Sequence, residues 1–242
     1  MERLHKILAQ RGVAARRQAE ALIRSGQVWV NGRPAQVGQQ CDPQVDEITV
    51  RGKPLPPAPR LCYYLLHKPL GVVSTCSDPQ GRPTVRDFLP PDLPPLYPVG
   101  RLDRDSTGAL LLTNDGELTL ALTHPRHPVW KTYRVWVQGH PTATALQRWR
   151  QGVDLDGQKT LPAQVRVVRQ TAPQTLLEIR LREGRNRQIR RVADLLGYPV
   201  VRLHRQAIGE IQLGNLPAGQ VRPLTPSELA FCQTVRTQNH LD

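Results

Sequence analysis

The stretch VGRLDRDSTGALLLTNDGEL holds two carboxylates two positions apart. Asp103 and Asp105 alternate with Arg101 and Arg104, and the apolar run Ala109 to Leu112 follows. Arginines beside a carboxylate favour its ionised form, because a nearby opposite charge stabilises that form. An ionised carboxylate held in place can act as a nucleophile. The spacing leaves open which of the two acids would do so.

A glycoside hydrolase is one interpretation of the two acids. Residues i and i+2 of a strand lie about 6.5–7 Å apart on one face, which is near the carboxylate separations of such enzymes. Against this, aromatic residues make up only 5% of the chain and the net charge is +13. A phosphate backbone attracts positive charge, whereas a neutral sugar polymer does not. Asp105 precedes Ser-Thr-Gly and has a simpler expected role, binding the backbone amides of a turn.

Two further stretches carry groups that could contribute to a site. In HKPLGVVST, Lys68 follows an apolar run and precedes Pro-x-Gly, which predicts a cation on a rigid turn. An ordinary exposed turn is the alternative. In KTYRVWV, Tyr133 lies near the start of a predicted strand. Such a tyrosine packs in a core or, beside an acid in a nucleic-acid site, stacks on an extruded base.

The stretch LREGRNRQIRRVADLLGYPVVRLHR is the most basic part of the chain. Between Arg182 and Arg205 it contains seven arginines and two acids. Arg187, Arg190 and Arg191 recur at i, i+3 and i+4, which predicts one face of a helix whose other face is apolar. An arginine face suits phosphates or a carboxylate partner. A basic face that is merely solvated is the alternative.

The overall charge points to a polyanionic partner. A net charge of +13 and a pI near 10.4 are typical of nucleic-acid-binding proteins. No apolar span of 18 residues and no signal-peptide pattern are present, so we expect a cytoplasmic protein without a membrane partner. The cysteines have no C-x-x-C spacing, which argues against a zinc site and a disulfide framework.

The elements that must position these groups predict an α+β protein. Residues 1–53 read as two helices followed by hairpin-like strands, with a turn at Asn31-Gly32, and residues 54–60 as a stiff proline linker. Residues 61–242 read as a larger domain in which strands outnumber helices, which predicts a mostly antiparallel mixed sheet. Helices are expected near 116–122, 144–151, 186–196 and 225–236, and we expect residues 237–242 to be frayed.

Together these stretches resemble the motifs of the RNA pseudouridine synthases of the RsuA/RluB family. GRLDRDSTGALLLTNDGEL is similar to the family signature, and HKPLGVVST, KTYRV and EGRNRQIRRVADLLGYPVVRLHR are similar to its other motifs, in the same order. Residues 1–52 resemble the alpha-L RNA-binding domain that was first seen in a ribosomal protein. The resemblance therefore covers nearly the whole chain.

The resemblance implies isomerisation of a ribosomal RNA uridine to pseudouridine, with no cofactor and no metal. The uracil is detached from its ribose, rotated and rejoined through carbon. The essential aspartate falls on Asp103, the active-site tyrosine on Tyr133 and the basic partner of the aspartate on Arg190. The expected RNA-binding residues are Arg3, Lys6, Arg16, Arg17, Lys68, Arg101, Arg187 and Arg191.

One position favours a branch of this family. Arg187 stands where another branch has histidine, which favours the branch that acts on large-subunit ribosomal RNA. The expected partner is ribosomal RNA, within an assembling subunit, and the expected state is a monomer. A synthase for small-subunit RNA and a non-catalytic RNA-binding assembly protein are the alternatives. The joint presence of Asp103, Tyr133 and Arg190 favours the enzyme.

Overall fold

The computed structural model describes residues 1–124 and 129–238, which form two compact units. The N-terminal unit contains residues 1–61 and 114–116, and the C-terminal unit contains residues 62–113 and the described residues from 117 onward. Residues 237 and 238 end the last helix, and the rest of the segment expected to fray lies outside the described residues. No described helix combines the length and apolarity that a membrane crossing needs.

The N-terminal unit packs two helices against short strands. Leu4, Ile7 and Leu8 of the first helix and Ile23 of the second are buried together. The expected turn at Asn31-Gly32 is confirmed, with positive φ at both residues and antiparallel strands on either side. The elements are β1 (Glu2–Arg3), α1 (Leu4–Gln10), α2 (Arg16–Arg24), β2 (Val28–Val30), β3 (Arg33–Pro34), β4 (Gln40–Cys41), β5 (Ile48–Val50) and β6 (Lys53–Pro54). The sheet order is β3-β2-β5-β6, and β1 pairs with β4.

The C-terminal unit is built on a nine-stranded mixed sheet, which confirms the α+β prediction. The strands of this unit are β7 (Tyr63–Lys68), β8 (Tyr97–Pro98), β9 (Thr107–Thr113), β10 (Lys131–Gln138), β11 (Asp154–Leu155), β12 (Gln158–Lys159), β13 (Gln164–Thr171), β14 (Gln174–Leu181), β15 (Val200–Ile208), β16 (Ile211–Gln212) and β17 (Val221–Pro223); β11 and β12 form a separate pair. The main path of the sheet is β13-β14-β10-β15-β9-β7-β17, with β8 beside β9 and β16 beside β15. Between β9 and β15 the pairing is parallel, and the other pairs of this sheet in the described residues are antiparallel.

Helices cover both faces of this sheet. The expected helices are confirmed, with ends within two residues of the predicted ones: α3 (Gly116–Thr123), α4 (Ala143–Gln151), α5 (Gln188–Leu195) and α6 (Pro226–Gln238). Along β9, Leu110 and Leu112 join a core with α4 and α5, whereas Ala109 and Leu111 join a second core with α3 and α6. Alternate residues of a strand face opposite sides, so β9 is buried on both faces.

Gly108 allows the parallel strands β9 and β15 to approach closely. It pairs with Arg205 on one side and with Lys68 of β7 on the other. Its φ is +111°, and a Cβ built there would overlap the carbonyl oxygen of Arg205 and lie 2.7 Å from its nitrogen. Only glycine fits this position without a backbone shift. The loop before β9 is thereby fixed against the strand that carries Arg205.

Candidate active site

A cavity of about 420 Å³ lies in the C-terminal unit beside the loop that carries the two aspartates. Its walls are the loop 99–106, the start of β10, the end of β14, the segment 183–190 and part of β15. Asp103, Tyr133 and Arg190, the three residues assigned to catalysis by resemblance, all line it. The volume is within the range of small-molecule sites. The structure therefore brings the three residues to one cavity.

The HKPLGVVST stretch supports the aspartate loop from behind. The buried Ser74 hydroxyl donates to the carbonyl of Leu102 at 2.8 Å and accepts from its amide at 3.1 Å. The amide of Gly71 donates to the carbonyl of Arg104 at 2.9 Å. These backbone bonds fix the loop, because each one satisfies a polar group that would otherwise be unpaired. The stretch thus positions the aspartate loop, a role that its residue types did not predict.

Asp103 presents its carboxylate to the cavity from a turn. Its side chain is 32% exposed, and Oδ2 lies 3.7 Å from Nη1 of Arg187. Its carbonyl accepts a hydrogen bond from the amide of Ser106 at 3.0 Å. Asp103 and Asp105 lie in a turn, outside the strands. The i, i+2 strand geometry behind the glycosidase interpretation is therefore wrong.

Asp105 is the carboxylate that the two arginines of the basic stretch bind. Arg187 donates to both of its oxygens at 3.1 and 3.0 Å, and Nε of Arg190 lies 3.3 Å from Oδ2. Partial burial acts to raise the pKa of Asp105, but the hydrogen bonds from Arg187 and the charge of Arg190 outweigh it and lower that pKa. Asp105 was expected to bind the backbone amides of the turn, but its carboxylate binds these two arginines instead.

The prediction that Arg190 is the ion-pair partner of Asp103 is wrong. Nη2 of Arg190 donates to the carbonyl of Asp105 at 2.7 Å and to the hydroxyl of Ser106 at 3.2 Å. Arg190 is 9% exposed, because it lies under the loop and away from solvent. It therefore braces the backbone beside Asp103. The helical spacing indicated a basic face, but it could not show which carboxylate would reach it.

Arg187 is held in an unusual backbone conformation. It immediately precedes α5 and has φ +49°, in the left-handed region that residues with a Cβ rarely adopt. Such strain persists where the surrounding structure fixes it, often at functional sites. Here the bidentate contact with Asp105 provides that fixation. Arg187 is the arginine that contacts both aspartates.

Lys131 and Arg205 line the same cavity as Tyr133 and were missed by the sequence analysis. Lys131 is two residues before Tyr133 on β10, and Arg205 is the cross-strand partner of Tyr133 on β15. Tyr133 and Arg205 are 9% and 5% exposed. The period of two along a strand could have identified Lys131, and a charge at an inward position of an apolar strand could have identified Arg205.

Lys68 is not the exposed cation that was predicted. It is fully buried at the end of β7, where Nζ donates to the carbonyl of Pro69 at 2.9 Å. Burial lowers the pKa of Lys68 to about 8, although the charges of Asp105 and Asp103 act to raise it. A fully buried ammonium cannot contact an RNA phosphate. Its assignment as an RNA-binding residue is therefore wrong, because Lys68 belongs to the buried strand β7, where it pairs with Gly108, and not to the turn that follows.

Lys68→Met is expected to change how stability depends on pH. In the unfolded chain a lysine keeps its ordinary pKa of 10.5, so between pH 8 and pH 10.5 the unfolded state binds more protons and the wild type gains stability as pH rises. The variant lacks this gain, which amounts to up to about 3 kcal/mol. Urea unfolding of both proteins at pH 7, 8.5 and 10 measures the difference. Parallel stability curves would show that Lys68 is not held as described.

The other expected RNA-binding residues remain predictions. Arg16 and Arg17 are exposed on α2, and Arg101 is exposed at the cavity. The remaining ones have partners: Arg187 binds Asp105, Arg3 donates to the carbonyl of Gly38 at 2.7 Å, Lys6 lies 3.4 Å from Glu2, and Arg191 lies 2.6 Å from Asp156. Surface hydrogen bonds and ion pairs of this kind contribute little energy and can open for a phosphate.

Comparison with known proteins gives the same picture for both units. The family model described as RNA pseudouridylate synthase matches residues 62–194, and the S4 domain model matches residues 2–46. The chain is 40% identical to ribosomal large subunit pseudouridine synthase B of Bacillus subtilis (strain 168), over 95% of this chain and 94% of that protein. It is 47% identical to ribosomal large subunit pseudouridine synthase E of Xanthomonas axonopodis pv. citri (strain 306), over 63% of this chain and 88% of that protein.

A solved structure agrees with the sequence relatives. The crystal structure of a pseudouridylate synthase superposes with a TM-score of 0.71 at 32% identity, and the match covers 96% of this chain and 100% of that one. A match of this extent spans nearly the whole chain. The chain belongs to the RNA pseudouridine synthase family.

Proposed function

We propose that this protein converts a uridine of large-subunit ribosomal RNA to pseudouridine, with Asp103 as the catalytic residue. The observation that carries the proposal is the placement of Asp103 and Tyr133 in one cavity of nucleotide size with strongly basic walls. A uridine inside a folded RNA must be extruded to reach such a cavity, and an aromatic side chain is a common platform for an extruded base.

Each residue has a distinct part in the proposed reaction. The Asp103 carboxylate attacks the anomeric carbon or the uracil ring, or takes a proton from the ribose; all three steps need a fixed, ionised carboxylate. Arg187, at 3.7 Å, holds that charge in place. Tyr133 stacks on the uracil, and Arg190 keeps the loop rigid through the carbonyl of Asp105. Because the reaction is an isomerisation, it requires no oxidant and no second substrate.

The relatives support large-subunit ribosomal RNA as the substrate. Two of them are named as large-subunit ribosomal enzymes. The N-terminal S4 unit and the net charge of +13 suit an RNA substrate of some length. We place the reaction in the cytoplasm, on an assembling subunit. The residues proposed for catalysis come from one chain, which is consistent with a monomeric enzyme.

The test is a map of pseudouridines across ribosomal RNA in cells with and without the gene. A site that disappears on deletion and returns with the wild-type gene identifies the target. A missing site in the small-subunit RNA would support the alternative substrate. An unchanged map, together with defective ribosome assembly, would favour the non-catalytic RNA-binding alternative and overturn the proposal.

A further inference from the structure

We propose that Lys131 and Arg205 form a cationic subsite that stabilises the negative charge on uracil while it is detached from the ribose. The inference rests on the proposed function, because it concerns an intermediate of that reaction. Neither residue belongs to the three assigned to catalysis above.

Arg205 is a buried guanidinium with incomplete hydrogen bonding. Its Nε donates to the carbonyl of Ala109 at 2.7 Å, and Nη1 lies 3.4 Å from the carbonyl of Arg101. Its Nη2 has no hydrogen-bond partner among the described residues. Buried donors are nearly always paired, since an unpaired one is costly. Nη2 itself is enclosed, so Arg205, which lines the cavity, acts on a ligand there through its positive charge.

Lys131 lies next to Arg205 and faces the same cavity. Its Nζ is 3.4 Å from the carbonyl of Leu122, a long contact for a hydrogen bond. Burial, and then the charge of Arg205, lower the pKa of Lys131 to about 8, so the ammonium form still predominates at neutral pH. The pairing of β10 with β15 shifts register between Thr132 and Tyr133, directly after Lys131. Such β-bulges are common beside active sites, where they redirect a side chain.

Several other basic residues of the cavity are paired with carboxylates. Arg187 is paired with Asp105 at 3.0 Å, and Arg185 lies 3.3 Å from Glu183. Lys131 and Arg205 form no ion pair with a carboxylate in the part of the chain that the structure describes. Arg101 likewise forms no ion pair among the described residues, but it is exposed to solvent. Lys131 and Arg205 lie instead on the two strands beside Tyr133, on which the uracil is proposed to stack.

The chemistry of the step creates a negative charge at this place. When the bond between C1′ and N1 breaks, its electron pair stays on the uracil and spreads over N1, O2 and O4. The ring turns, C5 forms the new bond to C1′, the hydrogen of C5 leaves as a proton, and N1 takes up a proton. Atoms and electrons balance within one nucleotide. Fixed cations that meet a developing charge in a water-poor site lower the barrier.

The experiment compares two RNA substrates with different leaving groups. Single-turnover cleavage of the glycosidic bond is measured for RNA with uridine and with 5-fluorouridine at the target, using wild type, Lys131→Met, Lys131→Arg and Arg205→Met. Fluorine withdraws electrons, so the detached fluorouracil needs less help from cations. For Lys131→Met we expect about a 100-fold lower rate with uridine and a loss of tenfold or less with 5-fluorouridine, at unchanged RNA affinity. Lys131→Arg restores most of the rate.

The controls separate this subsite from general damage and from failure of the function itself. Lys159→Met, at an exposed position on β12, should behave as wild type. An equal loss with both substrates, or a loss of RNA affinity alone, overturns the subsite. If Lys131→Met does not fold, Arg205→Met removes the second positive charge and gives the same comparison. If wild type converts neither RNA, the proposed function fails; normal conversion by Lys131→Met refutes only the subsite.

Discussion

Asp103→Asn is expected to reduce pseudouridine formation by at least about 1,000-fold, because the amide can neither attack carbon nor accept a proton as a carboxylate does. The amide has nearly the same size, and among the residues that the structure describes the carboxylate forms a single ion pair, with Arg187 at 3.7 Å. Stability and RNA affinity should therefore stay close to those of wild type. A tritium-release assay or mass mapping of pseudouridine in a target RNA measures the rate, and filter binding measures the affinity.

A matched substitution elsewhere controls for the loss of one negative charge. Asp92→Asn is made at an exposed loop position outside the cavity and should keep full activity. Asp105→Asn removes the partner of Arg187 and Arg190 and should lower the rate less than Asp103→Asn does. If Asp103→Asn retains activity while Asp105→Asn abolishes it, the roles of the two aspartates have been exchanged.

Gly108→Ala is expected to destabilise the C-terminal unit by at least about 3 kcal/mol, through backbone strain and overlap together. The new Cβ would overlap the carbonyl oxygen of Arg205, and φ is +111°. Backbone atoms in the middle of a nine-stranded sheet cannot move aside as a flexible side chain can. The free energy of unfolding from urea titration, or the soluble yield if the variant does not fold, measures the effect.

Gly184 provides the control for this substitution. A Cβ there meets nothing within 4 Å, and its φ lies outside the left-handed range. Gly184→Ala should leave the free energy of unfolding within about 0.5 kcal/mol of wild type, as expected for an exposed site without special contacts. Equal stability of the two alanine variants would mean that β9 and β15 do not approach as closely as described.

Much of the fold follows from local patterns in the chain. The two helices and the Asn31-Gly32 turn of the N-terminal unit were predicted correctly, because helix periodicity and turn chemistry act over a few residues. The helix expected near 225–236 begins with a capping box, another local pattern: the amide of Thr225 donates to the Glu228 carboxylate at 2.8 Å. The strand order of the larger sheet was not predicted, because pairing between distant segments leaves no local signal.

In the candidate site, too, local motifs could be predicted from the sequence, whereas contacts between distant segments could not. The family motifs identified Asp103 and Tyr133, and the structure places both at one cavity. The sequence could not show which partner each arginine binds, because Arg190 and Asp105 are 85 residues apart and come together only in the folded unit. Lys68 was misplaced for a related reason: its burial depends on strands that pair on both sides of Gly108.

The parallel pairing of β9 with β15 has a consequence for the timing of enzyme synthesis. β15 is made last of the three strands β9, β10 and β15, yet it lies between the other two. Contacts between distant segments form slowly. A growing chain that has not yet released β15 from the ribosome has Asp103 but lacks both the strand that fixes its loop and Arg205. We therefore expect a nascent chain that still lacks β15 to be inactive, with activity beginning only after this strand has been inserted.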